Sequence, residues 1–140
     1  MKVVAVSGGF DPLHPGHIKY IEEALKLGDW LKVILSRDDQ LQKKDRLRGC
    51  IKGRSPFPYE VRKAVLKWGL HDRGEVLMNV DPDITSCTSL RTYQPIHAFA
   101  KGGDSWSDSN LPEWHVCKEL GIEIIYGVGG YDKPFSSSKM

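Results

Sequence analysis

The chain has 140 residues, with 20 Lys plus Arg, 18 Asp plus Glu and a formal net charge of +2. That length suffices for one domain with its own core, and so small a basic excess does not point to a nucleic-acid binder. No basic leader with an apolar run opens the chain, and no apolar stretch reaches the roughly 20 residues of a membrane-spanning helix. The cysteines, Cys50, Cys87 and Cys117, are too far apart for a Cys-x-x-Cys motif and form no disulfide framework. They suit a reducing compartment. The expectation is a single cytoplasmic domain over residues 1–140 without a membrane partner.

The predicted elements alternate. Lys2–Ser7 is a short, β-branched apolar run, the look of a strand covered on both faces. A glycine-rich loop follows. Ile18, Ile21, Ala24, Leu25 and Leu27 then recur at helical spacing, with Pro15 suited to the first turn and Gly28 to the stop. Trp30–Ser36 is a second buried strand, which completes a βαβ unit. Residues 37–58 are polar and basic and read as a long loop, either a mobile cover for anionic substrates or a solvated segment. A helix is expected over Tyr59–Leu70, with Val61, Val65, Leu66 and Trp68 facing the core. Glu75–Val80 is a third strand. Ser86 is a candidate cap for a weaker helix. Ile96–Lys101 is a fourth strand, a helix follows with Asn110 near its cap and Gly121 past its end, and Ile122–Val128 is a fifth strand. This order predicts an α/β doubly wound, Rossmann-like domain with about five parallel strands and helices on both faces.

In such sheets ligands bind beyond the carboxyl ends of the strands. Three segments fall there: Gly8–His17, Lys101–Trp106 and Gly127–Ser138. In the first, Gly8 and Gly9 permit close backbone approach. A helix starting near Pro15 offers free N–H groups and a positive dipole end. His14 and His17 flank that start, and Gly16 keeps the space between them clear. This is neither a Gly-x-Gly-x-x-Gly fingerprint nor a P-loop. Taken alone, the stretch reads as a glycine turn with one surface histidine and one helix-capping histidine. No third ligand stands near it for a metal, and no metal site is expected. Asp11 reads as a turn-forming residue before Pro12 or as a site carboxylate.

Five segments resemble the cytidylyltransferase-like nucleotidyltransferases. "GGFDPLHPGHIKYIEEALKLGD" holds a His-x-Gly-His motif at His14–His17. "ILSRDDQLQKK" resembles the family's second strand and the basic segment after it, "PYEVRKAVL" its Glu-x-Arg-Lys helix, "KGGDSW" its Gly-Asp segment and "SSSKM" its Ser/Thr-rich signature. The resemblance implies nucleotidyl transfer from a nucleoside triphosphate, CTP first and ATP second, to a phosphorylated small molecule such as a sugar or polyol phosphate, with Mg²⁺ accompanying the triphosphate. It makes His14, His17 and Lys44 catalytic, with Lys43 the alternative to Lys44. It assigns Ser7, Gly8, Gly9, Phe10, Gly16, Gly102, Asp104, Ser136, Ser137 and Ser138 to nucleotide binding. Asp11, Arg62 and Trp106 fall to substrate binding, Arg62 as a bidentate phosphate ligand and Trp106 as a stacking platform or plain hydrophobic cover.

Two departures from the family pattern accompany the resemblance. Residues 134–140 hold the phosphate-binding signature but stop at Met140, too short for the helix expected to follow. Lys133 stands where the family often carries an arginine. The competing reading is therefore a non-catalytic nucleotide-binding module of the same fold. The family's dimers make a homodimer one option for assembly, and no nucleic-acid partner is expected.

Overall fold

The computed structural model describes residues 1–11, 13–47, 57–103 and 105–130. In chain order the elements are β1 (Val3–Gly8), α1 (Pro15–Leu25), β2 (Trp30–Leu35), α2 (Asp38–Leu47), α3 (Tyr59–Leu70), β3 (Gly74–Met78), α4 (Cys87–Thr92), β4 (Ala98–Gly102), α5 (Trp114–Leu120) and β5 (Glu123–Val128). The five strands form one sheet in the order β3-β2-β1-β4-β5, and every neighbouring pair is parallel. The expected α/β Rossmann-like fold is the observed one.

Helices cover both faces because both faces of the central strands are apolar. Val4, Val6, Leu31, Val33 and Leu35 pack on one side with Ile21 and Ala24 of α1 and Leu66 and Leu70 of α3. Ala5, Ile34 and Phe99 pack on the other with Leu90 of α4 and Val116 and Cys117 of α5. Lys32 interrupts the β2 run yet is buried. Its ammonium donates to the carbonyl oxygens of Tyr93 at 2.8 Å and Pro95 at 3.2 Å, which offsets the cost of removing it from water.

Several boundaries differ from the sequence expectations. The first half of the expected 37–58 loop is the helix α2, which opens with Asp38 and Asp39 in its first turn, where carboxylates favour a helix dipole. The predicted third and fourth strands shift to Gly74–Met78 and Ala98–Gly102. Ser86 makes no side-chain cap on α4. Asp81 fills that role instead, accepting from the N–H groups of Thr88 at 2.7 Å and Ser89 at 2.8 Å. The helix expected from Asn110 begins only at Trp114, and Asn110 Oδ1 holds the preceding turn through Ser107 N–H at 2.7 Å.

The largest correction concerns α3. Val61, Val65 and Trp68, expected in the core, are exposed, and the sheet-facing residues are Tyr59, Arg62, Leu66 and Leu70. The helix carries apolar residues on two sides, so periodicity alone does not select one. Tertiary contacts select the side on which Arg62 meets a ring of oxygen acceptors.

No helix among the described residues is long and apolar enough to cross a membrane.

Candidate active site

The strand order reverses direction between β1 and β4, and the loops after these two strands meet at that point. From β1 the chain turns through Phe10, whose φ of 49° lies in the left-handed region. A bulky residue there is strained and needs its surroundings to hold it. The Phe10 ring supplies that hold. It is buried, meets the His17 ring edge-on at 5.0 Å and stacks on Tyr20 at 6.4 Å. Phe10 thus enters the site as a wedge beneath His17. Gly8 lies against the same ring, where an added Cβ would stand 3.2 Å from Phe10 Cζ.

His14 is the N-cap of α1, with extended backbone and Pro15 in the first turn. Its Nδ1 accepts from the Gly16 N–H at 3.1 Å. In the neutral imidazole this leaves the proton on Nε2, so His14 offers one N–H donor of fixed orientation. Burial holds its pKa below the ordinary value, opposed by a main-chain hydrogen bond. The His14 and His17 rings stack with centroids 3.7 Å apart and planes 20° from parallel. The two imidazoles therefore form one unit at the helix start, and placing a positive charge on both at once is unfavourable at that separation.

Asp11 and Arg62 fasten this loop to the other side of the sheet. Asp11 is buried, and its Oδ1 accepts from the Phe57 N–H at 3.0 Å. Arg62 is 3% exposed. It donates to the carbonyl oxygens of Phe57 at 2.8 Å, Gly9 at 3.1 Å and Ser36 at 2.7 Å, and to Asp38 Oδ1 at 2.7 Å. Four protein oxygens thus hold the guanidinium, which ties the first loop, β2 and α2 together. Ser7 lies near the end of β1, paired in register with Ile34, and Ser36 N–H donates to Gly8 carbonyl oxygen at 3.0 Å. Lys44 lies on α2, half-buried, with Lys43 exposed beside it; both belong to a helix where a loop was expected.

At the end of β4, Gly102 lies close against Tyr20 and β5. A Cβ would meet Tyr20 Cδ1 at 3.2 Å and Val128 carbonyl oxygen at 3.3 Å. Tyr20 itself donates to the Ala100 carbonyl oxygen at 2.5 Å, and so ties α1 to β4. Burial pushes its hydroxyl pKa far up. Trp106 is half-buried, and the Lys101 ammonium lies 4.8 Å from its ring centroid and 5.4 Å from that of Phe99. One face of the expected stacking platform is thus occupied by a cation. Burial lowers the Lys101 pKa, against an opposing pull from buried Glu113. Asp104, Ser136, Ser137 and Ser138 lie outside the described residues.

Sequence reasoning missed Tyr20, Lys101 and the wall at the end of β3. Tyr20 stands three residues after His17, a spacing that places it on the same helical face, and was the most findable. The wall is a buried network. Gln40 donates to Asn79 Oδ1 at 2.9 Å and the Asp83 carbonyl oxygen at 2.7 Å, while Arg37 donates to the carbonyl oxygens of Asn79 at 2.8 Å and Asp81 at 2.9 Å. Its members are scattered along the chain and carry no local pattern.

Comparison with known proteins agrees with this architecture. The family described as Cytidylyltransferase-like matches residues 5–139. The chain is 52% identical over 142 residues to a protein named FAD synthase from Methanocorpusculum labreanum, covering 99% of this chain and 91% of the relative. It is 34% identical over 124 residues to the Bifunctional protein HldE of Methylococcus capsulatus, covering 88% of this chain but 24% of that longer protein. In fold it resembles a lipopolysaccharide core biosynthesis protein from Thermoplasma volcanium, with a TM-score of 0.68, 24% identity and coverage of 94% and 99% of the two chains. The parallel five-stranded sheet and a match along nearly the whole chain lead to one conclusion: this protein belongs to the cytidylyltransferase-like family of nucleotidyltransferases.

Proposed function

We propose that the chain transfers a nucleotidyl group from a nucleoside triphosphate to the phosphate of a small-molecule acceptor. An acceptor phosphate oxygen attacks the α-phosphorus, a new P–O bond forms, and the bond to the β-phosphate bridging oxygen breaks with loss of pyrophosphate. The observation that carries this reading is the stacked His14–His17 pair at the start of α1. The neutral His14 carries its donor proton on Nε2, and the helix start adds main-chain N–H groups and a positive dipole end. Such fixed donors stabilise charge that develops on phosphate oxygens without reorganising during the reaction.

Mg²⁺ accompanying the triphosphate would neutralise part of its charge, a role that needs few protein ligands. Lys44 on α2, with Ser7, Gly8, Gly9 and Gly16 around the first loop, completes the proposed phosphate environment. Gly102, Asp104, Trp106 and Ser136–Ser138 are proposed for the nucleoside side.

ATP takes precedence over CTP as the proposed nucleotide. The likeness to a protein named FAD synthase supports it, since FAD joins an adenylate to the phosphate of FMN. FMN ends in a polyol phosphate, within the acceptor class expected from sequence, and is the first acceptor to test; a sugar phosphate is the second. The experiment is pyrophosphate release with ATP or CTP against FMN, sugar phosphates and polyol phosphates in the presence of Mg²⁺. Turnover is expected with one acceptor, and His14→Ala or His17→Ala should lower kcat by about 10²- to 10³-fold. Undiminished turnover in both variants would remove the histidine pair from the mechanism.

A further inference from the structure

Four rings form a continuous chain of contacts at the switch in strand order. The Tyr20 and Phe10 rings lie 6.4 Å apart, Phe10 meets His17 edge-on at 5.0 Å, and His17 stacks on His14 at 3.7 Å. The first two are ordinary spacings for attractive aromatic pairs. Both outer rings lie against glycines at the ends of the two strands that part there. A Cβ on Gly8 of β1 would stand 3.2 Å from Phe10 Cζ, and one on Gly102 of β4 3.2 Å from Tyr20 Cδ1.

Two features of this chain exceed what filling a core requires. Phe10 holds a φ of 49°, a conformation that persists for a bulky residue only where its surroundings over-determine it. Tyr20 carries a hydroxyl where phenylalanine would fill nearly the same volume. That hydroxyl donates to the carbonyl oxygen of buried Ala100 at 2.5 Å. Burial keeps it protonated, and so keeps it a donor. At the other end of the residue, a Cβ on Gly129 would stand 2.9 Å from Tyr20 Cα. Tyr20 is therefore fixed at its tip by β4 and at its main chain by the turn after β5. A ring held only by dispersion contacts slides; one bonded at its tip to a strand does not.

We propose that Tyr20 is a positioning residue for His17. Its ring, anchored on Ala100, backs the Phe10 ring, and the edge of Phe10 fixes the His17 imidazole and, through the stack, His14. Tyr20 acts through Phe10 and touches no reacting group. A preset imidazole stabilises developing charge without reorganising, and a misplacement of about 1 Å costs about 10²-fold in rate. The kinetic consequence rests on the reaction proposed above; the placement of His17 rests on geometry alone.

The test pairs steady-state kinetics of nucleotidyl transfer with the imidazole proton and carbon shifts of His17, assigned against His17→Ala on the full chain without ligand. Tyr20→Leu should lower kcat by about 10²-fold and leave the nucleotide KM within about twofold, because the loss falls on the transition state. Tyr20→Phe keeps the ring, loses the bond to Ala100 and should show a smaller loss in kcat. In a His17→Ala background both losses should vanish, since residues that act as one unit are not additive. The His17 shifts should move in both single variants as the Phe10 edge is released. Circular dichroism screens folding, and Tyr20→Phe carries the same cycle if Tyr20→Leu does not fold. Unchanged kcat, a loss confined to KM, or an equal loss with and without His17 would overturn the proposal. A parent that turns over no acceptor would overturn the reaction above and not this placement, which unmoved His17 shifts alone would overturn.

Discussion

Arg62 on α3 donates to the carbonyl oxygen of Gly9 at 3.1 Å, across 53 positions of sequence. The same guanidinium holds Ser36 at the end of β2 and Asp38 at the start of α2. One buried side chain therefore sets the spacing between the glycine loop, the second strand and the helix that carries Lys44. Removing it would strand three carbonyl oxygens and the Asp38 carboxylate.

Arg62→Ala should cost about 3 kcal/mol, the scale for buried acceptors left without partners. For a chain of this size that lowers Tm by about 10 °C. Arg62→Lys should lose much of the same stability, since an ammonium cannot span four oxygens in a fork. Thermal unfolding without ligand checks this. An unchanged Tm with a raised acceptor KM would instead mark Arg62 as a phosphate ligand.

The His14 pKa lies below its ordinary 6.5 because burial disfavours the cation. Between that lowered value and the unfolded value, the unfolded chain binds more protons. The His14 contribution to stability is therefore complete above about pH 6.5 and is lost as pH falls through the folded value. If the neutral Nε2–H is the working donor, the acid limb of kcat/KM should lie below pH 6.5 and disappear as a His14 signature in His14→Gln. A pH–rate profile reads both. An acid limb above pH 6.5 would require a protonated imidazole as the donor.

The Asp81 carboxylate receives four hydrogen bonds: from the N–H groups of Thr88 and Ser89, from Ser89 Oγ at 2.7 Å and from Thr85 Oγ1 at 3.3 Å. It anchors the start of α4 and the wall at the end of β3. Asp81→Ala should lower stability by about 2–3 kcal/mol, and Asp81→Asn by less, because the amide oxygen keeps part of the acceptor set. Equal losses in urea titrations of the two variants would contradict this ranking.

Two glycines predict opposite outcomes. Gly129 has φ +87°, and a Cβ there would stand 2.9 Å from Tyr20 Cα, on the main chain of α1. Gly129→Ala should cost about 2 kcal/mol and shift the helix that presents His17. Gly69 lies inside α3 with nothing within 4 Å of a built Cβ. Gly69→Ala should stabilise by about 0.5–1 kcal/mol through helix propensity. Thermal unfolding of the pair gives the signs directly; a loss at Gly69 would refute the helix-propensity account.

The parallel strand–helix order was legible in the sequence. So was the glycine loop with its two histidines, and so was Pro15 at the start of α1. These features depend on spacing within a few residues: continuous apolar runs make covered strands, and glycine and proline punctuate their ends. Gly121 is one more example, ending α5 with φ 71° where its position after a helical run predicted a stop. The α2 helix was not legible, because its ten residues are mostly polar and offer little apolar period to detect.

What the sequence by itself determined is the order of elements and the chemistry of the first loop, since both are local. What only the tertiary structure decided is which side of α3 faces the sheet, and with it the work of Arg62. Val61, Val65 and Trp68 are as apolar as the residues that are buried. The choice went to the side whose arginine finds oxygens from Gly9, Ser36, Asp38 and Phe57. That convergence comes from four separate segments. The same choice turned an apolar stripe out to solvent.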